Sequence, residues 1–489
     1  MISEQLSVAT GIPEPTLRLI LTILFSYPTA LFYRFLFLRP LKTKWAPFLR
    51  NLYCLITGLL LSYFYNRSNI KHSLLTTVVT WSFCYLGTII NNRRISCAAA
   101  FIFNFTYLLC GYYFNATDDY DINWTMTQCV LCLRMIGFAM DFMDGEKLLK
   151  SNPPKNQLIN DEPKKVTSSV TPPPSSLNGT ELTARNPAPK LPRSFEKNIQ
   201  LATLPSLIET IAYAHFFGAF LIGPQFSFHL YRKFITMSIF PDANKIPPGS
   251  YKHALKCFTL GALYLLVRQI GAGSFPASYL LTDEYLNLPF FKRLLIMWAT
   301  GKFAFIWSLT EGSCALSGIS FNGYDDNGKP EWNCLSNVDK WKFEFATSLN
   351  TIVGSFNTNT NLWTKIYIFK RLIFLGNKNL SNIGALLFLA LWHGLHIGYF
   401  ICFSLEFLDM EGEKRWAKRF ESYTKPLYYN DKESLSSIKT QTLKKLHLLL
   451  CWIGQTSALY YSMISFELLK LEHIVIAYNS VYWIGHVIV

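Results

Sequence analysis

Two histidines stand three residues apart in LLFLALWHGLHIGYFICF, residues 386–403, a run with no charged residue. Ionisable groups at membrane depth are costly, so His393 and His396 are candidates for chemistry. An imidazole that titrates near neutrality can take a proton from an alcohol. A structural reading stands beside this one: two core histidines bonded to neighbouring carbonyls. Spaced i and i+3, they are expected on roughly one helix face. A metal pair would need further ligands, and Glu406, about three turns on, is the nearest acid in that helix. Upstream lies SFNTNTNLWTKIYIFKRLIFLGNK, residues 355–378. A carboxamide cannot act as acid or base, but it can donate to an oxyanion or hold a hydroxyl in line. Asn357, Asn359 and Asn361 alternate, which predicts an irregular or extended entry to a helix. Asn357 and His393 are 36 residues apart. One continuous helix would separate them by roughly 54 Å. They meet only if the chain turns back, and Leu375-Gly376-Asn377 is the expected turn. Lys370 and Arg371 either snorkel at the interface or receive phosphates. A third cluster, EGSCALSGISFNGYDDNGKPEW from Glu311 to Trp332, holds four glycines and no Walker pattern. It reads as a structured loop that approaches a substrate or re-enters the membrane. Cys314 within it is the nearest candidate nucleophile, with no partnered base visible in the sequence.

The elements that position these groups are membrane helices. Half of the 489 residues are hydrophobic and 16% are aromatic. Only 16% are charged, against about 25% in a soluble domain. That composition excludes a soluble enzyme, a disordered chain and a fibrous one. A nucleic-acid binder with the net charge of +15 would carry more charged residues. Apolar runs are expected to span near 17–38, 51–65, 73–90, 95–114, 126–142, 204–223, 254–275, 288–309, 343–356, 382–405, 446–466 and 471–489. The fold class is therefore all-α and polytopic, with about eleven transmembrane or re-entrant helices. Most of the eleven cysteines lie in or beside these runs and act as small buried hydrophobes. Cys129 and Cys132 lack a second pair at zinc spacing, so no metal is expected. The start, MISEQLSVATGIPEP, has no basic n-region, so the first apolar run is expected to be an uncleaved anchor.

Five regions follow: N-terminal transmembrane helices over 1–145, a disordered cytoplasmic loop over 146–200, a catalytic core over 201–405, a basic cytoplasmic loop over 406–445 and C-terminal transmembrane helices over 446–489. The segment 151–193 is dominated by proline and small polar residues and buries too little to fold. Nine Lys and Arg in 146–200, and nine more in 406–445, place both loops in the cytoplasm. Asn115 to Thr125 has three Asp and no basic residue, one span away, and is expected in the lumen. Its two N-x-T sequons make Asn115 and Asn123 glycosylation candidates. Net basicity orients spans and touches anionic lipid heads; it also suits an anionic nucleotide thioester.

Together, LALWHGLHIGYF, SFNTNTNLWTKIYIFKRL, EGSCALSGISFNG, LRMIGFAMDFMDG (133–145) and PSLIETIAYAHFFGAFLIGPQFSF (205–228) resemble the membrane-bound O-acyltransferase family, chiefly its lysophospholipid acyltransferase branch. The resemblance implies a helical bundle around a central tunnel, where acyl-CoA and a membrane-borne lysophospholipid meet. It places the catalytic His on His393 and the catalytic Asn on Asn357. Trp392, Asn359 and Asn361 belong to the same motifs and, with Cys314, Lys370 and Arg371, are the substrate-side candidates. It implies no cofactor, acyl-CoA being a co-substrate, and residence in the endoplasmic reticulum. The lysine-rich retrieval signal of a family member is not found in the ending WIGHVIV. The expected reaction is direct acyl transfer to the free glycerol hydroxyl. The soluble-type signature H-x-x-x-x-D occurs at none of the nine histidines. A peptide, sterol or diacylglycerol acceptor, or a non-enzymatic transporter, remains open at this stage, as do head-group preference and oligomeric state.

Overall fold

A run of uniformly apolar residues folds as helix in lipid because each backbone group must find its partner within the segment. The computed structural model describes residues 2–39, 41, 43–115, 122–151, 193–195, 199–242, 245–301, 307–429 and 437–488. Five of its segments are long and apolar enough to cross a membrane: Glu14–Phe37, Ala46–Ile89, Arg93–Asn115, Trp124–Glu146 and Ser250–Gly271. Ala46–Ile89 is two helices, Ala46–Asn66 and Ile70–Ile89, joined by a 3₁₀ turn. Phe35, Leu60, Ile102, Leu255 and Ile270 face outward from these helices, as lipid-facing residues do. Trp124–Glu146 is different. Its apolar window is 83% covered, against 18–33% in the other four, so it forms the centre of the bundle.

The first five expected runs map onto helices close to their predicted bounds. The expected span 204–223 does not. There an eight-residue helix, Leu207–Ala214, gives way to irregular chain. Irregular backbone at depth survives only where protein satisfies it. Arg134 of the central helix does this. Its guanidinium donates to the carbonyls of Tyr213 (3.3 Å), Ala214 (3.0 Å), Ala219 (3.0 Å) and Pro224 (3.3 Å). Gln225 Nε2 returns a bond to Val130 O at 2.8 Å. His215, at the end of the short helix, is likewise bound, to Ser73 Oγ at 3.0 Å and Ile211 O at 3.1 Å. Arg134→Met is expected to take the guanidinium from the Ala214, Ala219 and Pro224 carbonyls, while Tyr213 O keeps the Phe216 N–H, and to lower stability by about 3 kcal/mol. Arg134→Lys recovers only part, since a compact ammonium cannot span the same four acceptors. Thermal unfolding in detergent measures both.

Other expected spans are divided. The 288–309 run becomes Phe290–Thr300 and the start of Trp307–Ser317, with 302–306 outside the described residues. The 343–356 run becomes two short helices, Lys340–Glu344 and Leu349–Ser355, and 471–489 becomes Leu471–Ser480 and Ile484–Ile488. Conversely, Ile397–Arg419 and Ile438–Leu468 carry helix into the expected basic loop 406–445, of which 430–436 lie outside the described residues. Among the described residues the expected count of eleven helices therefore finds no one-to-one match. Of the expected disordered loop 146–200, residues 152–192 and 196–198 lie outside the described residues. Ser194 and Phe195, near its end, are buried in the bundle instead. The one sheet among the described residues is a hairpin pairing Gly323–Tyr324 with Pro330–Glu331.

Candidate active site

The run 382–405 breaks in the middle, and the break separates the two candidate histidines. Helix Lys378–His393 ends at His393, Gly394 takes φ +146°, and His396 stands as N-cap of Ile397–Arg419. The two histidines thus sit on different helices, not on one face as expected. Gly394 supplies the required backbone freedom. Tertiary packing supplies the reason: Gly398 N donates to Leu469 O at 3.0 Å, and a Cβ there would lie 2.1 Å from Ser465 O.

The polar stretch before it forms a hairpin with that helix. Asn357 caps Thr358–Thr364, which continues through a π-turn, Lys365–Phe369, and through Lys370–Leu372 to a 3₁₀ turn, Ile373–Leu375. Gly376 then reverses the chain at φ +71°, and Asn377 caps the return helix through bonds from Asn379 N and Leu380 N. The turn lies where the sequence placed it. Trp363 stacks on Phe388 across the hairpin, ring centroids 5.8 Å apart. His393 is five residues beyond Phe388 and Asn357 six before Trp363. At 1.5 Å per residue these are offsets of about 7.5 and 9 Å in the same direction. Both residues therefore stand at the same end of the hairpin and nearly level along it.

The His393 ring lies in an aromatic cup of Trp392 (4.6 Å), Phe466 (4.9 Å), Phe403 (5.6 Å) and Tyr399 (5.8 Å). It is only partly buried. Among the described residues no hydrogen bond to its nitrogens is formed. Trp392 next to it is an anchor: its indole donates to Cys129 O at 2.8 Å and its carbonyl accepts from Tyr112 at 2.7 Å, tying the helix to the central one.

Asn357 holds a left-handed conformation, φ 44° and ψ 43°, which Asn tolerates better than other side-chain-bearing residues. Its neighbours enforce it. Asn361 Nδ2 donates to the carbonyls of Val353 and Phe356, both at 2.7 Å. Asn359 is fully buried, donates to Ser336 O at 3.0 Å and accepts from Ser194 Oγ at 3.2 Å. Of the irregular or extended entry expected over these asparagines, only Asn357 is irregular; Asn359 and Asn361 already lie in the helix it opens, and their amides bond to the protein itself. Asn357 Oδ1 accepts from Asn337 Nδ2 at 2.8 Å.

Cys314, fully buried, donates to Gly218 O at 3.2 Å. Lys370 is exposed near the turn, at the opposite end of the hairpin from His393, and Arg371 beside it pairs with Asp144 at 2.6 Å. Asn115 and Asn123 sit at the end of one helix and just before the next; 116–121 between them lie outside the described residues.

Sequence reasoning missed several participants. Tyr367 donates to Asp141 at 2.7 Å inside the bundle, joining the hairpin to the central helix. The signal was an acid in an otherwise apolar run. Glu311 accepts from Ser336 Oγ at 3.2 Å, and its other oxygen lies 3.0 Å from His253 Nε2. Ser336 O in turn receives Thr358 Oγ1 at 2.8 Å, so Glu311 belongs to the network around Asn357. The ligand atoms of His253, Cys257 and Glu311 lie within 4.8 Å of one another. Both carboxylate oxygens of Glu311 have protein partners, His253 and Ser336.

Residues 109–430 match the MBOAT, membrane-bound O-acyltransferase family. That range contains Asn337, Asn357 and His393. The chain is 36% identical over 492 residues to proteins named lysophospholipid acyltransferase 5 from Mus musculus and Homo sapiens, covering 99% of this chain and 89% of each relative. To the protein of that name from Drosophila melanogaster it is 31% identical, covering 99% of this chain and 87% of the relative. With its membrane-length apolar helices and this breadth of similarity, the chain belongs to the membrane-bound O-acyltransferase family.

Proposed function

We propose that this protein is a lysophospholipid acyltransferase of the endoplasmic reticulum membrane. It moves a fatty acyl group, preferably polyunsaturated, from acyl-CoA to the sn-2 hydroxyl of a 1-acyl lysophospholipid in phospholipid remodelling. Lysophosphatidylcholine is the first acceptor, with the ethanolamine and serine forms after it. The observation that carries the reading is the hairpin register, which sets a partly buried imidazole level with a carboxamide. The similarity to the lysophospholipid acyltransferases supports the choice of acceptor.

An alcohol attacks a thioester slowly until a base relieves it of its proton. His393 Nε2 or Nδ1 takes that proton as the hydroxyl oxygen bonds to the thioester carbon. The carbonyl oxygen gains negative charge, and Asn357 Nδ2 donates to it. The C–S bond then breaks, the ester is complete, and the proton on His393 passes to the departing CoA thiolate. The aromatic cup around His393 keeps bulk water from competing for the acyl group. No cofactor and no covalent acyl-enzyme enter. The acyl chains lie in a tunnel through the bundle. Purified protein, offered one acyl-CoA and a panel of acceptors, is expected to esterify lysophosphatidylcholine at least about tenfold faster than a sterol, diacylglycerol or peptide, a preference of about 1.4 kcal/mol. Preferential transfer to any of those three, or lipid transport with no CoA release, would overturn the reading.

A further inference from the structure

We infer that Asn337 is the positioning residue that decides which end of the Asn357 carboxamide faces the reacting thioester. The inference rests on the role proposed above for Asn357. The two ends of a carboxamide are nearly equal in size and opposite in chemistry: one donates, the other only accepts. The terminal torsion of Asn is broad and roughly two-fold, so rotation alone does not choose between them. Only the NH₂ end can stabilise an oxyanion.

The structure fixes the choice through a chain of bonds that begins on the backbone. The Asn359 backbone N–H donates to Asn337 Oδ1 at 3.1 Å, and Asn359 Nδ2 approaches the same oxygen at 3.5 Å. A backbone N–H cannot become an acceptor, so Asn337 must present its oxygen there. Its NH₂ end then points the other way and donates to Asn357 Oδ1 at 2.8 Å. With its oxygen engaged, Asn357 has its NH₂ end left for the reaction. Asn337 itself is 2% exposed, and its carbonyl accepts from Thr358 N at 3.0 Å, so the residue is clamped at side chain and backbone. Polarity is thus passed from a fixed peptide N–H through one buried amide to a second, partly open one.

The test compares Asn337→Asp with Asn337→Ala in the purified full-length protein. The Asp variant keeps the shape and the acceptor for Asn359 N–H. It turns a second acceptor toward Asn357, whose amide must rotate to donate to it. The carbonyl end of Asn357 then faces the thioester. The expected loss in kcat is about 10²-fold, with KM for acyl-CoA within about threefold of the unaltered protein, the pattern of an interaction made only in the transition state. The Ala variant leaves Asn357 free to adopt either orientation, and the loss is smaller, about tenfold or less. A merely structural role reverses this order, because Ala removes more bonds and volume than Asp does. In an Asn357→Gly background the Asp substitution should add no further loss. An Asp variant as active as the Ala variant, or an undiminished penalty in the Gly background, overturns the assignment of Asn337 alone. Full activity of Asn357→Gly by itself overturns the role of Asn357, and this inference with it.

Discussion

His393→Ala abolishes acyl transfer, with an expected fall in kcat of about 10³-fold, within the range a positioned general base contributes. The variant should unfold near the same temperature as the unaltered protein. The reason lies in what the ring does and does not touch. It contacts aromatic rings on Trp392, Tyr399, Phe403 and Phe466, yet no hydrogen bond from the described residues depends on it. Removing it leaves space beside a partly open wall rather than an unpaired polar group, so the structural cost stays small. His393→Gln is the sharper control. It retains polarity and much of the volume but has no group that titrates near neutrality, and it should be as inactive as the Ala variant. His396→Ala, by contrast, alters the N-cap of the following helix and is expected to keep most transfer activity. Continuous measurement of CoA thiol release reports all three. If His393→Gln transfers acyl groups at more than about a tenth of the original rate, the base lies elsewhere.

The long apolar helices of the N-terminal third were legible because twenty uniformly hydrophobic residues leave the backbone one way to satisfy itself. The turn at Gly376 was legible for a local reason too, a Gly-Asn pair between a basic stretch and an apolar run. What escaped was decided by contacts distant in sequence. The stretch 204–223 is apolar enough for a helix, but Arg134 on the central helix gathers its carbonyls and favours irregular chain. The break at Gly394 looked like one glycine in a continuous span; the contact of Gly398 with the backbone of Ser465 and Leu469 is what the break accommodates. The alternating asparagines pointed to an irregular or extended entry to a helix, which the left-handed Asn357 provides, but not to where the helix begins. The Asn359 and Asn361 amides bond to Val353, Phe356 and Ser336, which lets a helix begin under a left-handed cap. Asn337 carried no signal at all. In the sequence it is one polar residue in a polar loop, and only burial against Asn357 gives it meaning.

Asn357→Gly is the second large effect, and its value is that it separates chemistry from conformation. At φ 44° a residue with a Cβ is strained by roughly 1–2 kcal/mol, whereas Gly is not. Asn357→Ala would therefore mix strain with loss of the amide. The Gly variant removes the amide while the backbone keeps its turn, held by Asn361 Nδ2 on the Phe356 carbonyl and by Thr358 N on Asn337 O. Loss of one oxyanion donor costs about 10²–10³ in kcat. The expected result is a fall of that size with KM for the lysophospholipid nearly unchanged and the unfolding temperature preserved. Asn357→Asp should be worse than Gly. Its carboxylate accepts the Asn337 amide as the native side chain does, but it turns a negative oxygen, rather than an N–H, toward the developing oxyanion. Like charges at hydrogen-bond distance in a site of low dielectric oppose each other strongly. The order Asn, then Gly, then Asp in kcat is what electrostatic stabilisation requires. A role in packing alone would rank the isosteric Asp above Gly, so the relative activity of those two variants decides between the accounts.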